Sequence, residues 1–205
     1  MTTPRSLGRL EGRDPTPIGA GAAENLRYIR STIEAAHTFT TVPGKGCVAM
    51  GVVGLVAAAL ESFPGLAPYW LPIWLTAAVF ASAVALSFME AKARSQGLSL
   101  RRAAALRFFL TLAPAFACGG ILTAALVDTV SRDVIGGIWL LLYGAGIAAC
   151  GVFSIPAVLI AGFAFMGFGT VALVAPPEWT PALLAFGFGV THIALGAVII
   201  KDHGG

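Results

Sequence analysis

From Val134 to Ala175, about 42 consecutive residues carry no charged side chain. A soluble surface cannot be built from such a stretch. At 1.5 Å of helix rise per residue it is also twice too long for a hydrocarbon layer of ~30 Å. It must therefore cross, turn and cross back, and Gly151, Ser154 and Pro156 are its only punctuation, so a tight hairpin is expected there. The rest of the chain has the same organisation. Runs of about 20 apolar residues predict spans near 46-66, 69-91, 104-127, 134-155, 156-175 and 181-200. No segment alternates as a barrel strand would, and hydrocarbon leaves no backbone group unpaired, so the spans are expected as helices. The expected fold is all-α: a polytopic membrane protein with six transmembrane helices in one bundle over 46-200. A mobile polar tail (1-21), an N-terminal cytoplasmic amphipathic helix (22-43) and a short C-terminal tail (201-205) complete it. With 57% hydrophobic and 11% charged residues, the 205-residue chain is neither a soluble globule nor a disordered one.

The charges that remain sit where repeated crossing puts them. Ten lie in the first 45 positions, six between Glu90 and Arg107, and the others (Glu61, Asp128, Arg132, Asp133, Glu178, Lys201 and Asp202) near the ends of apolar runs. An ionised group at mid-bilayer costs at least about 2.5–3.5 kcal/mol, which accounts for that spacing. Alternating the loops gathers all 13 basic residues except Arg132 on one side. By the positive-inside rule both termini are then cytoplasmic, and Tyr69, Trp70, Trp74 and Trp179 are expected as an aromatic belt on the opposite face. The first apolar run begins behind a polar tail longer than a signal peptide's n-region, so span one is expected to be a retained anchor. The arginines form no aromatic-interleaved basic stripe, so nucleic acid is not expected as a partner.

Within the N-terminal region, Leu26, Ile29, Ile33, Ala36 and Thr40 follow a 3.6-residue stripe with His37 beside it, and Arg27 and Arg30 lie on the flank. Two readings stand: a helix resting on anionic headgroups, each arginine gaining roughly 1 kcal/mol, or a surface for a cytoplasmic protein partner through residues 22-40. Arg27, Arg30 and His37 are the candidate residues for either.

Inside the spans, His192 is the one deep ionisable residue other than cysteine and tyrosine. Counted from one face, Tyr143 and His192 share a depth of roughly 14–17 Å, and Ser82 and Cys118 reach a similar level. These four form a candidate mid-membrane polar layer, either as packing glue or as a proton- or substrate-binding site. Glycines cluster where helices could touch, at Gly46, Gly51 and Gly54, Gly144 and Gly146, Gly167 and Gly169, and Gly187 and Gly189. None belongs to a nucleotide loop. Pro114 predicts a kink in span three. Cys47, Cys118 and Cys150 lack metal-ligand spacing and are read as small packing residues. Ser154 and His192 are the residue types of a rhomboid protease, but Gly151-Val152-Phe153-Ser154-Ile155 lacks the Gly-x-Ser-Gly pattern and the two differ in depth by about 12 Å. No enzyme, cofactor or metal is expected.

Glu24-Asn25-Leu26-Arg27-Tyr28-Ile29-Arg30, then Phe39-Thr40-Thr41-Val42-Pro43-Gly44 and Val48-Ala49-Met50-Gly51, resemble stretches of a set of small bacterial six-span membrane proteins, as do Phe188-Gly189, His192-Ile193, Ile199-Ile200 and Gly204-Gly205. The resemblance implies a bacterial inner-membrane location and no established activity. The expectation for function is a non-catalytic interaction, sensing or assembly module, in a lipid bilayer and open to homo-oligomerisation. The alternative is a small-solute or proton-linked transporter or channel built on the layer around His192. A pocket reaching that layer from one side would favour the alternative, and a closed, dry bundle would oppose it.

Overall fold

The structure, a computed structural model, describes residues 21, 24–29, 42–95 and 103–203. The chain divides into two units, Met1–His37 and Thr38–Gly205. In the first, residues 24–29 are helical with Leu26, Arg27, Tyr28 and Ile29 exposed; Arg30 and His37 lie outside the described residues. The second is all-α among the described residues and contains six helices long and apolar enough to cross a membrane. They are α1 (Gly44–Ser62), α2 (Trp70–Ser95), α3 (Ala103–Leu126), α4 (Arg132–Gly151), α5 (Pro156–Val174) and α6, which runs across Pro177–Asp202.

Proline sets several of the boundaries. Pro43 and Ile155 take extended backbone as N-caps, and Pro156 opens α5 at the position where a missing N–H costs nothing. Pro68 and Pro177 sit in the 3-10 turns, Ala67–Tyr69 and Pro177–Trp179, that lead into α2 and α6. The uncharged stretch does turn near Ser154: Phe153 N–H donates to Cys150 O at 3.3 Å and Ser154 N–H to Gly151 O at 3.2 Å, so α4 and α5 form a tight hairpin. The helix α3 continues through Pro114.

Lipid tails are as apolar as leucine, so helices in a bilayer associate through close packing. Two antiparallel pairs here do so through glycines spaced seven apart, the repeat that keeps a residue on one seam of a slightly supercoiled pair. In the α4/α5 hairpin, Gly137 faces Gly169 and Gly144 faces Gly162; a Cβ added at Gly144 would lie 2.7 Å from Gly162 O and 2.7 Å from Met166 N. In the α1/α6 pair, Gly44 faces Gly196 and Gly51 faces Gly189, with an added Cβ at Gly51 2.6 Å from Gly189 O. By contrast, Gly167 and Gly120 have nothing within 4 Å.

The remaining helices flank these pairs. α2 packs along α1 and α3 along α4, but among the described residues α2 and α3 share no packed face. Two apolar clusters form the interior. One contains Cys47, Phe108, Leu112, Ile147, Cys150, Val158 and Ile199; the other contains Ala57, Trp74, Leu140, Phe165, Ala172 and Leu184. Tyr143 packs against both and so marks the level at which they meet.

Candidate functional site

At that level α6 changes its winding. Ala185–Thr191 is a π-helix between α-helical Thr180–Leu184 and His192–His203. Such wide turns occur disproportionately at functional positions. Thr191 Oγ1 donates to Phe186 O at 3.0 Å across five residues, and α1 lies close enough that a Cβ at Gly54 would be 2.5 Å from Phe188 O. His192, the first residue after the wide turns, is only 5% exposed.

Its two ring nitrogens have distinct partners. Nδ1 is 2.9 Å from Phe188 O, and a carbonyl can only accept, so Nδ1 carries the proton. In the neutral ring Nε2 then accepts, and the group 2.7 Å from it is the Tyr143 hydroxyl, which must donate. Phe165, Phe188 and Phe116 surround the pair, with Tyr143–Phe165 ring centroids 4.9 Å apart, Phe165–His192 5.1 Å and Phe116–Tyr143 6.0 Å. Tyr143→Phe should therefore remove one hydrogen bond and leave Nε2 without a donor. We expect a loss of about 1 kcal/mol with the helices intact, read as a lower unfolding temperature in reconstituted membranes. A collapse of the folded protein would mean the phenol does far more packing than one bond implies.

The pair lies at the inner wall of a cavity of about 650 Å³ between α2 and α3. Ala77, Ala78, Ala81, Ser82 and Ala85 line one side and Ala113, Ala115, Phe116, Gly119 and Gly120 the other, with Tyr143, Phe165, Phe188 and His192 behind. Small side chains on both facing helices create the space. Leu75, Ser82, Leu86, Phe116 and Gly120 line it and are exposed, so it opens sideways through the gap between α2 and α3. At one end stand three tryptophans. Trp70 meets Trp139 at 5.8 Å, Trp139 Nε1 donates to Thr123 Oγ1 at 2.8 Å, and Trp74 Nε1 donates to Glu61 Oε2 at 2.8 Å. Arg132 is 3.6 Å from the other Glu61 oxygen.

Of the four residues placed in one layer by depth, the structure brings Tyr143 and His192 into contact and sets Ser82 on the cavity wall. Cys118 is exposed and lies outside the cavity, because equal depth fixes height along a helix and not the face a residue takes. The belt expectation needs correction at Trp74. Tyr69 and Trp179 are 59% and 55% exposed, but Trp74 is 5% exposed and tied to Glu61. Glu61 reads from the sequence as an ordinary span-end charge, yet it is 6% exposed and tied to Trp74 and Arg132. Arg132, the opposite charge at a neighbouring span end, was the available signal.

Against protein-family models, curated proteins and solved structures, the chain finds no match.

Proposed function

We propose that this multi-pass membrane protein binds a small, largely apolar molecule taken from the bilayer, in the cavity between α2 and α3, and acts as a non-catalytic sensing or interaction module. The observation that carries this reading is the cavity itself. Its volume of about 650 Å³ falls in the 300–1,000 Å³ range of small-molecule sites, and its lining is apolar apart from a few convergent polar groups. Its mouth faces the side of the bundle, where hydrocarbon is the surrounding solvent.

The same cavity gives the transporter alternative its one support, since it reaches the His192 level from one side. A polar solute or ion would also need a polar path. The hydroxyls of Ser82, Ser87, Thr111, Thr123 and Thr170 each donate to a backbone carbonyl four residues earlier in their own helix. That pattern favours an apolar occupant. For location we propose a bacterial cytoplasmic membrane with both termini cytoplasmic, supported by the basic residues, which alternate to one side except for Arg132. Residues 22-40, including Arg27, Arg30 and His37, would then face anionic headgroups or a cytoplasmic partner.

Ala81→Phe tests the cavity. A phenyl group there fills space that alanine leaves open, without touching the glycine seams. In proteoliposomes given a diazirine-bearing hexadecyl hydrocarbon, the variant should keep its unfolding temperature and lose most labelling at cavity residues. Labelling of Phe116 unchanged from wild type would refute the site.

A further inference from the structure

The hydrogen-bonding state of the cavity wall specifies what kind of head group it takes. Among the described residues, six lining side chains carry N–H or O–H donors: Trp74, Ser82, Thr123, Trp139, Tyr143 and His192. Each already donates. Trp74 Nε1 is held by Glu61 Oε2, Ser82 Oγ by Ala78 O, Thr123 Oγ1 by Gly119 O and Trp139 Nε1 by Thr123 Oγ1. Tyr143 Oη is held by His192 Nε2 and His192 Nδ1 by Phe188 O. What these six groups still offer is lone pairs. Those of the Tyr143 phenolic oxygen belong to a ring set among Phe116, Phe165 and Phe188. Thr123 Oγ1 already accepts from Trp139, and Ser82 lies at the exposed rim.

We propose that the occupant is a long-chain alcohol, its hydrocarbon body in the groove between α2 and α3 and its hydroxyl donating to Tyr143 Oη. This rests on the cavity being a ligand site, and adds the chemical class. A ketone or ester carbonyl needs a donor, and could take the Tyr143 proton only by leaving His192 Nε2 buried without a partner, which is costly. An ammonium head donates but brings a charge to mid-membrane, where charge is expensive, and a carboxylate brings a charge and no donor. A hydroxyl is an uncharged donor that fits the wall without rearranging it, whereas an amide or a protonated acid also brings a carbonyl that lacks a donor there.

The test uses three hexadecyl probes, each with a diazirine and an alkyne: the primary alcohol, the methyl ketone and the plain hydrocarbon. The full-length protein in proteoliposomes is labelled with each. Labelling at Ala81 and Phe116 is divided by that at Val79 and Ile160, which are 73% and 68% exposed, so differences in partitioning cancel. The alcohol should give a cavity-to-surface ratio about three- to tenfold that of the hydrocarbon, the ketone should gain nothing, and Tyr143→Phe should reduce the alcohol's advantage. The comparison among probes on the wild-type protein needs no variant to fold. Equal ratios for all three, with the cavity still labelled above the surface, would overturn the alcohol proposal and leave the ligand site standing. A ketone preference would overturn it too. Cavity labelling no higher than surface labelling with every probe would remove the ligand site, and the alcohol with it.

Discussion

Gly144→Leu should abolish the folded protein, whereas Gly167→Leu, one helix away, should express and purify like wild type. At Gly144 the added Cβ meets a carbonyl oxygen and a backbone nitrogen of α5, each at 2.7 Å. Neither can rotate aside, so the helices must part. A part-way separation surrenders contacts along the whole hairpin, including that at Gly137, where an added Cβ would lie 3.2 Å from Gly169 O. Overpacking of a core costs about 1–3 kcal/mol where side chains can yield, and backbone against backbone should exceed that. No hydrophobic force in the bilayer compensates by driving the separated faces back together. Gly167 has open space where its Cβ would go, and the chemistry of the substitution is identical. Monodispersity after detergent extraction, together with the unfolding temperature, reads the difference. Equal loss at both positions would show that added bulk in α5 and α4 is harmful in general and that the close seam is not the cause.

Why that contrast was invisible in the sequence bears on how much of the molecule was legible there. The six helices follow from apolar length and from the places where charge and proline interrupt it, both one-dimensional properties. The small-residue helix contacts were also legible as a type. Their pairing was not, because Gly144 and Gly167 look alike until it is known which face of each helix meets a neighbour. The Tyr143–His192 contact was within reach because both side chains point inward and depth alone brought them level. Cys118 shared the depth and not the direction. The cavity had weaker signals still. Ala77, Ala78, Ala81 and Ala85 on one helix and Gly119 and Gly120 on the next remove bulk from two facing surfaces, but a row of small residues reads equally well as a packed seam. What separates the two outcomes is whether α2 and α3 approach each other, and each instead spends its packing face on another helix.

Glu61, Trp74 and Arg132 yield the second large effect, through a charge that the bundle buries and then satisfies. Glu61 at the end of α1 accepts from Trp74 Nε1 at 2.8 Å and lies 3.6 Å from Arg132 at the start of α4, so three helices are tied at one end of the cavity. Glu61→Ala deletes the acceptor for the indole N–H of Trp74, a residue 5% exposed, and leaves a void where the carboxylate stood. An orphaned buried donor costs about 1–3 kcal/mol and the void adds to it, so a loss of about 3 kcal/mol is expected. Arg132→Ala should cost less. Removing one partner of a fully buried pair costs about 3–5 kcal/mol. Arg132 is 45% exposed, however, and water screens its half of the pair, which brings the expectation down to about 1–2 kcal/mol. Glu61→Gln separates the two contributions, because an amide oxygen can still accept from Trp74 while the charge is gone. In the Glu61→Gln background, Arg132→Ala should be nearly neutral. Thermal unfolding of the four proteins in proteoliposomes, followed by tryptophan emission, closes the cycle. If Arg132→Ala costs as much in the Glu61→Gln background as in the wild-type protein, the arginine acts through its aliphatic stem or its Asp133 pair at 4.0 Å, and not through the Glu61 carboxylate.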